Sequence, residues 1–236
     1  MIFIRKDSLV LTSIFICLSI IAISLYEQQN KANNIETVTL PVSNKVIVID
    51  AGHGIPDEGA ESQNGISEAK INLNIALKVQ KLLEQSGATV ILTRSDENGI
   101  YDLDSKTLKQ KKVSDLKNRV KIGNESSADL FISIHLNKIP QQKYSGWQTF
   151  YKSSDENSIK LAKSIQTNLN ESIQKENDRV PMKLDNIYIM KNIEIPITVV
   201  ECGFLSNVEE EKCLLDEEYQ NRLAWGIYCG IMDYFL

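Results

Sequence analysis

The chain reads as an α/β protein: a single domain built on a mostly parallel, twisted sheet with helices on both faces. Three observations predict this. Short apolar runs alternate with longer segments of helical period, the pattern of repeated strand–helix–strand units. The runs are continuously apolar rather than alternating, as strands buried on both faces are. The 236 residues, 42% hydrophobic and 24% charged, suffice for one folded core and not for two large ones.

The elements follow in order. Arg5 and Lys6 precede Ser8 to Leu25, 18 residues without a charge. A helix of that length covers most of a hydrocarbon core of roughly 30 Å. No small-x-small cleavage site follows, and Tyr26 suits a membrane interface. Residues 1–26 are therefore expected to be a signal or anchor segment, the anchor being favoured, with the rest of the chain outside the cytoplasm. Residues 27–44, rich in Gln, Asn, Lys and Glu without helical period, are expected to form a polar linker. The domain proper is expected over 45–236.

Within it, Lys45 to Asp50 is the first strand. Glu68 to Glu84 is a helix with a broad apolar face, with Ser67 as N-cap and Gly87 as its stop. Ala88 to Thr93 is the second strand, Ser114 to Asn124 a helix, and Asp129 to Ile134 the third strand. Trp147 to Tyr151, Ser158 to Gln174, Ile197 to Val200 and Glu217 to Phe235 complete the order as strand, helix, strand and closing helix. The runs Lys109 to Lys112 and Glu209 to Glu211 are expected to be solvated faces.

Charge and cysteine usage exclude several classes. With 26 basic and 31 acidic side chains the formal charge is −5, so the basic surface that nucleic-acid binding needs is not expected. Of the four cysteines, Cys17 lies in the apolar segment. The other three, Cys202, Cys213 and Cys229, are an odd number without C-x-x-C spacing, which excludes a complete disulfide framework and a zinc knuckle.

In parallel α/β sheets, sites form beyond the carboxyl ends of the strands. The first strand runs out into Asp50-Ala-Gly-His53-Gly54, the third into Ser133-Ile-His135-Leu-Asn137, and the last into Glu201-Cys-Gly-Phe-Leu-Ser206. His53 and His135 are the only two histidines. With Glu201 they are expected on one edge, where Glu68 at the head of the first domain helix can join them. Catalytic zinc takes three ligands from His and carboxylate and leaves a position open, so two His and one Glu suit it, with the other Glu as general base. Spacing alone leaves Asp57, Glu58 and Glu61 as competitors of Glu68. A carboxylate directly ending an apolar run, as Glu201 does, is costly unless it has a role.

These residues together resemble a family. Val-Ile-Asp-Ala-Gly-His53-Gly, Gly59-Ala60 with Glu68, Ala128 through His135-Leu-Asn, and Pro196 through Val-Val-Glu201-Cys-Gly-Phe-Leu-Ser-Asn are similar to the motifs of the zinc-dependent N-acetylmuramoyl-L-alanine amidases. The resemblance spans Lys45 to the C-terminus. It implies His53, Glu68 and His135 as ligands of one Zn2+ and Glu201 as catalytic carboxylate, and so favours Glu68 over its competitors. It implies peptidoglycan as the partner, cleaved between N-acetylmuramic acid and the L-alanine of the stem peptide. Arg94 and Arg119 also resemble family positions, as structural or substrate-side residues. Cys202 departs from the family pattern and is expected to be a buried small residue.

The absence of wall-binding repeats and the N-terminal segment resemble the germination-specific subgroup, which prepares spore cortex for muramic δ-lactam formation. An accessory sporulation protein is a further expected partner. The alternatives are a zinc carboxypeptidase acting on wall peptides, or a catalytically weak wall-binding module that needs a partner.

Overall fold

The computed structural model describes residues 6–33 and 39–236. These divide into a unit ending at Thr39 and a compact unit Leu40–Leu236. The first contains helix α1, Lys6–Asn33. Its apolar side chains are exposed around the helix, among them Phe15, Ile16, Leu18 and Ile20. The helix continues through Glu27–Asn33, where the sequence predicts linker. Glu, Gln, Lys and Ala are good helix formers, so the helix can continue on propensity alone. The rest of the expected linker, residues 34–38, lies outside the described residues. Among the described residues no helix is long and apolar enough to cross a membrane.

The compact unit opens before Lys45, because Val42 is already fully buried in its core. Its sheet has six strands: β1 Val46–Ala51, β2 Thr89–Leu92, β3 Leu130–Asn137, β4 Gln148–Tyr151, β5 Met182–Lys183 and β6 Ile197–Phe204. They are ordered β2-β1-β3-β6-β4-β5. Strands β2, β1, β3 and β6 run parallel, and β4 is antiparallel to β6. The helices that follow are α2 Glu68–Gln85, α3 Leu108–Glu125, α4 Glu156–Ile173, α5 Tyr188–Asn192, α6 Val208–Leu215 and α7 Glu217–Tyr234.

The period of two along each strand sorts the core into two layers. Ile47, Ile49, Leu130, Ile132, Ile134, Val200 and Cys202 face one way, packed with Ile75 and Val79 of α2, Ile165 of α4 and Ile227 of α7. Val48, Phe131, Ile197 and Val199 face the other way, with Val120 of α3 and Met190 of α5. Each such Val, Ile or Leu contributes about 1.5–3 kcal/mol by leaving water. Cys202 is among them, fully buried, and burial pushes its thiol far above the ordinary range, so it is an inert core group.

Three details depart from expectation. Helix α3 begins at Leu108, six residues before Ser114, because Thr107 and Gln110 form a reciprocal capping box. Strand β6 runs on to Phe204, so Glu201 is a strand residue opposite His135. Glu210 and Glu211 are buried rather than solvated: Glu210 accepts the backbone N–H groups of Gly146 and Phe204 at 2.7 and 2.8 Å. Glu211 accepts from the Asn64 amide at 3.1 Å.

Candidate active site

Strands β1, β3 and β6 end at one edge of the sheet, and their exits define the site. After Ala51 the chain turns sharply, with His53 in the left-handed region at φ 62°. Two buried arginines hold this turn. Arg94 donates to Ala51 O at 2.9 Å, Gly52 O at 3.0 Å and Ala69 O at 2.7 Å. Arg119 donates to Ala51 O at 2.7 Å and His53 O at 2.6 Å. Arg119 also pairs with Asp50 at 2.6 Å and Asp115 at 2.6 Å, and those two carboxylates keep its guanidinium charged despite burial. Both arginines are thus scaffold residues of the loop that carries His53.

His135 lies near the end of β3, on the face shared by Phe131 and Ser133. Its ring rests directly on Gly52, where a Cβ would collide with it. Glu68 opens α2, whose first N–H groups favour an acid there. Its Oε2 accepts from Ala60 N at 2.8 Å, which leaves Oε1 turned inward. That oxygen accepts from Leu136 N at 3.0 Å and lies 3.0 Å from His135 Nδ1 and 3.4 Å from His53 Nε2. Gly59 makes room for this: a Cβ there would fall 2.6 Å from Glu68 Oε2 and from His53 Cδ2. The two imidazole rings stand nearly perpendicular, with centroids 5.0 Å apart.

One potential ligand atom from each of His53, Glu68 and His135 lies within 4.8 Å of the others, the single such group among the described residues. Burial pushes the Glu68 carboxyl up, but His135, His53 and the Ala60 N–H pull it further down, to about 2. It is an anion facing two imidazoles. The competing acids do not join the cluster. Asp57 lies on the other side of His53, 3.4 Å from Nδ1, and its Oδ2 also meets Lys112 Nζ at 2.9 Å. Lys112 is therefore not only solvated face, as its sequence context predicts.

Glu201 stands directly opposite His135 in the β3–β6 register. Its neighbour Val199 packs into the second core layer, so Glu201 projects on the same face as His135. Its Oε2 is buried and has no hydrogen-bond partner. Burial, with the charge of Glu68, raises its carboxyl to about 7 against the opposing pull of His135. An unpartnered carboxylate oxygen beside an imidazole and a second carboxylate is a place built to take up a proton or face a cation. Gln148 of β4 is the next residue along this row, paired with Glu201 and held by Arg179 Nη1 at 3.2 Å. Nothing in the sequence marks Gln148, because an amide on a short strand carries no signal of its position.

Comparison with known proteins agrees with this geometry. The sequence family described as N-acetylmuramoyl-L-alanine amidase matches residues 47–233. A germination-specific N-acetylmuramoyl-L-alanine amidase of Bacillus subtilis (strain 168) is 40% identical over 197 residues, covering 84% of this chain and 82% of that protein. The solved structure of the CwlD amidase from Clostridioides difficile, in complex with the GerS lipoprotein, is 47% identical with a TM-score of 0.79, covering 81% of this chain and 98% of that one. The catalytic domain of the amidase CwlV from Bacillus (Paenibacillus) polymyxa var. colistinus is 34% identical with a TM-score of 0.68, over 80% and 97% of the two chains. With its motifs on one sheet edge and matches across the whole compact unit, the chain belongs to the N-acetylmuramoyl-L-alanine amidase family.

Proposed function

We propose that the chain is a zinc-dependent enzyme that hydrolyses the amide between N-acetylmuramic acid and L-alanine in peptidoglycan stem peptides, outside the cytoplasm and in the spore cortex. The observation that carries this is the convergence of His53, Glu68 and His135 with Glu201 opposite His135. Two imidazoles and a carboxylate are the donor set of catalytic zinc with an open position. The donor atoms are preset, since Ala60 N and Leu136 N fix Glu68 and Gly52 seats His135.

A zinc ion held there would polarise the scissile carbonyl and acidify a water towards neutrality. The proton traffic belongs to Glu201. Its carboxylate takes a proton from the attacking water and delivers it to the departing alanine nitrogen. A buried oxygen without a competing donor is suited to both steps. Asn72, which donates to Gly52 O at 3.2 Å and Glu68 Oε1 at 3.3 Å, ties the β1 exit to the ligand carboxylate.

Support for the cortex role, and for use of the product in muramic δ-lactam formation, comes from the germination-specific relative. Because the similar amidase of Clostridioides difficile was solved with a lipoprotein, an accessory sporulation protein is proposed as partner here. The 18 uncharged residues from Ser8 to Leu25 support export, as a leader or as a membrane anchor.

The test is digestion of purified peptidoglycan with wild type and Glu201→Gln, with metal analysis of both. Intact stem peptides with a new N-terminal alanine are expected from wild type. Glu201→Gln should keep its zinc and lose turnover by at least about 100-fold, the usual size of a general-base contribution. Release of single amino acids would instead indicate a carboxypeptidase, and full activity of Glu201→Gln would remove the assigned role.

A further inference from the structure

The reaction uses one side of His53, and the other side is also built. Its Nε2 faces Glu68 Oε1 at 3.4 Å, towards the ligand cluster, while Nδ1 faces Asp57 Oδ2 at 3.4 Å. A neutral imidazole carries one N–H and one lone pair. If Nε2 is to offer its lone pair to a cation, the hydrogen sits on Nδ1 and needs an acceptor. Asp57 is that acceptor. Its place is fixed by the backbone: Gly54 N donates to Asp57 O at 3.0 Å and Asp57 N donates to Gly54 O at 2.9 Å. Its carboxylate is in turn held by Lys112 Nζ at 2.9 Å, from the first turns of α3. His135 is oriented differently, by the Gly52 seat and by Glu68 on Nδ1, and no other acid lies within ion-pair distance of it among the described residues.

We propose that Asp57, clamped by Lys112, is a positioning residue for the metal: it holds His53 as the Nδ1–H tautomer and so presents Nε2 to the cation. This rests on the reading of His53, Glu68 and His135 as the zinc site. Carboxylates behind metal-bound imidazoles act in this way in general, and removing one weakens metal affinity by about 10- to 100-fold.

The test uses the full chain in mild detergent, with zinc affinity measured by competition with a chromophoric chelator. The second readout is the tautomer of His53 in the metal-free protein, from two-bond nitrogen–proton NMR correlations. Asp57→Ala is expected to raise the zinc Kd by about 10- to 100-fold and to turn His53 from Nδ1–H into a mixture of tautomers. Lys112→Met is expected to weaken binding by only about two- to five-fold, the size of a half-exposed ion pair. Asp57→Asn, which keeps size and one acceptor oxygen, is expected to fall between Asp57→Ala and wild type, and it carries the test if Asp57→Ala does not fold. Wild-type zinc affinity together with an unchanged His53 tautomer in the Asp57 variants would overturn the proposal while leaving the zinc site standing. Failure of the wild type to bind zinc would overturn both.

Discussion

Asp50 never reaches the His53–Glu68–His135 cluster, yet it anchors the arginine that holds the His53 loop. It is fully buried at the end of β1, accepting from Thr93 Oγ1 at 2.7 Å, Ser133 Oγ at 2.5 Å and Arg119 Nη1 at 2.6 Å. Burial pushes its carboxyl up, but Arg119 and these hydroxyl donors pull it below its ordinary value of 3.8. A folded-state value below the unfolded one means stability present above the ordinary carboxylate range and lost as pH falls through the folded value. Asp50→Asn should therefore cost about 1.5–3 kcal/mol at neutral pH, since it removes one of the two carboxylates that face the buried Arg119 and weakens a charged hydrogen bond. Its urea midpoint, measured on metal-free protein, should fall less steeply below pH 4 than that of wild type. An equally steep acid limb in both would count against the pair. At the proposed ligands, His53→Ala or His135→Ala should abolish zinc binding in equilibrium dialysis, because the chain has only these two histidines. Gly52→Ala should weaken it as well, since the new Cβ occupies the seat of the His135 ring.

At the scale of elements, α3 does more than cover the sheet. One helix carries Lys112 to Asp57, Asp115 to Arg119, and Arg119 to Asp50 and the His53 backbone. Its N-terminal cap is Thr107, whose hydroxyl accepts from Gln110 N at 3.2 Å. Thr107→Ala should cost about 1 kcal/mol by urea unfolding, without changing zinc affinity, because Arg119 lies three turns into the helix. Helices α4 and α7 meet through glycine. A Cβ on Gly230 would lie 2.5 Å from Ile165 Cα. Gly230→Ala should force the helices apart and destabilise by about 1–3 kcal/mol, read as a lower urea midpoint with the denaturant slope unchanged. Much of this level was legible in the sequence. Helix α2, with its apolar face and its Gly87 stop, matches its expected span almost to the residue. Helix α3 did not, because its first turns are Lys-rich without an apolar stripe, and only the side-chain cap marks their start.

At the scale of the whole molecule, the parallel order β2-β1-β3-β6 sends three strand ends to one edge. That placement turns residues 53, 68, 135 and 201, spread over most of the compact unit, into neighbours. Among the described residues, the His53–Glu68–His135 group lies wholly within the compact unit Leu40–Leu236. Removing residues 1–39 should therefore leave zinc content and kcat/KM on solubilised peptidoglycan fragments within about two-fold of wild type, because the compact unit carries its own core and all three candidate ligands. The same removal should shift the protein out of the exported fraction in cell fractionation. Lost zinc binding in the shortened chain would show that the segment supports the site directly.

Fold class, the order of every strand but the two-residue β5, and the expectation that His53, His135 and Glu201 share one edge were legible in the sequence alone. Apolar period and strand-end chemistry are local properties, written in consecutive residues. The resemblance of four ordered motifs added Glu68. Tertiary structure alone decided the rest: that Asp57 stands behind His53, that Arg94 and Arg119 are scaffold, and that Glu210 and Glu211 are buried hydrogen-bond acceptors. In sequence an acid or a base in a polar stretch looks the same whether it meets water or a partner. Which it meets is set by distances between segments far apart in the chain, and those exist only once the sheet has formed.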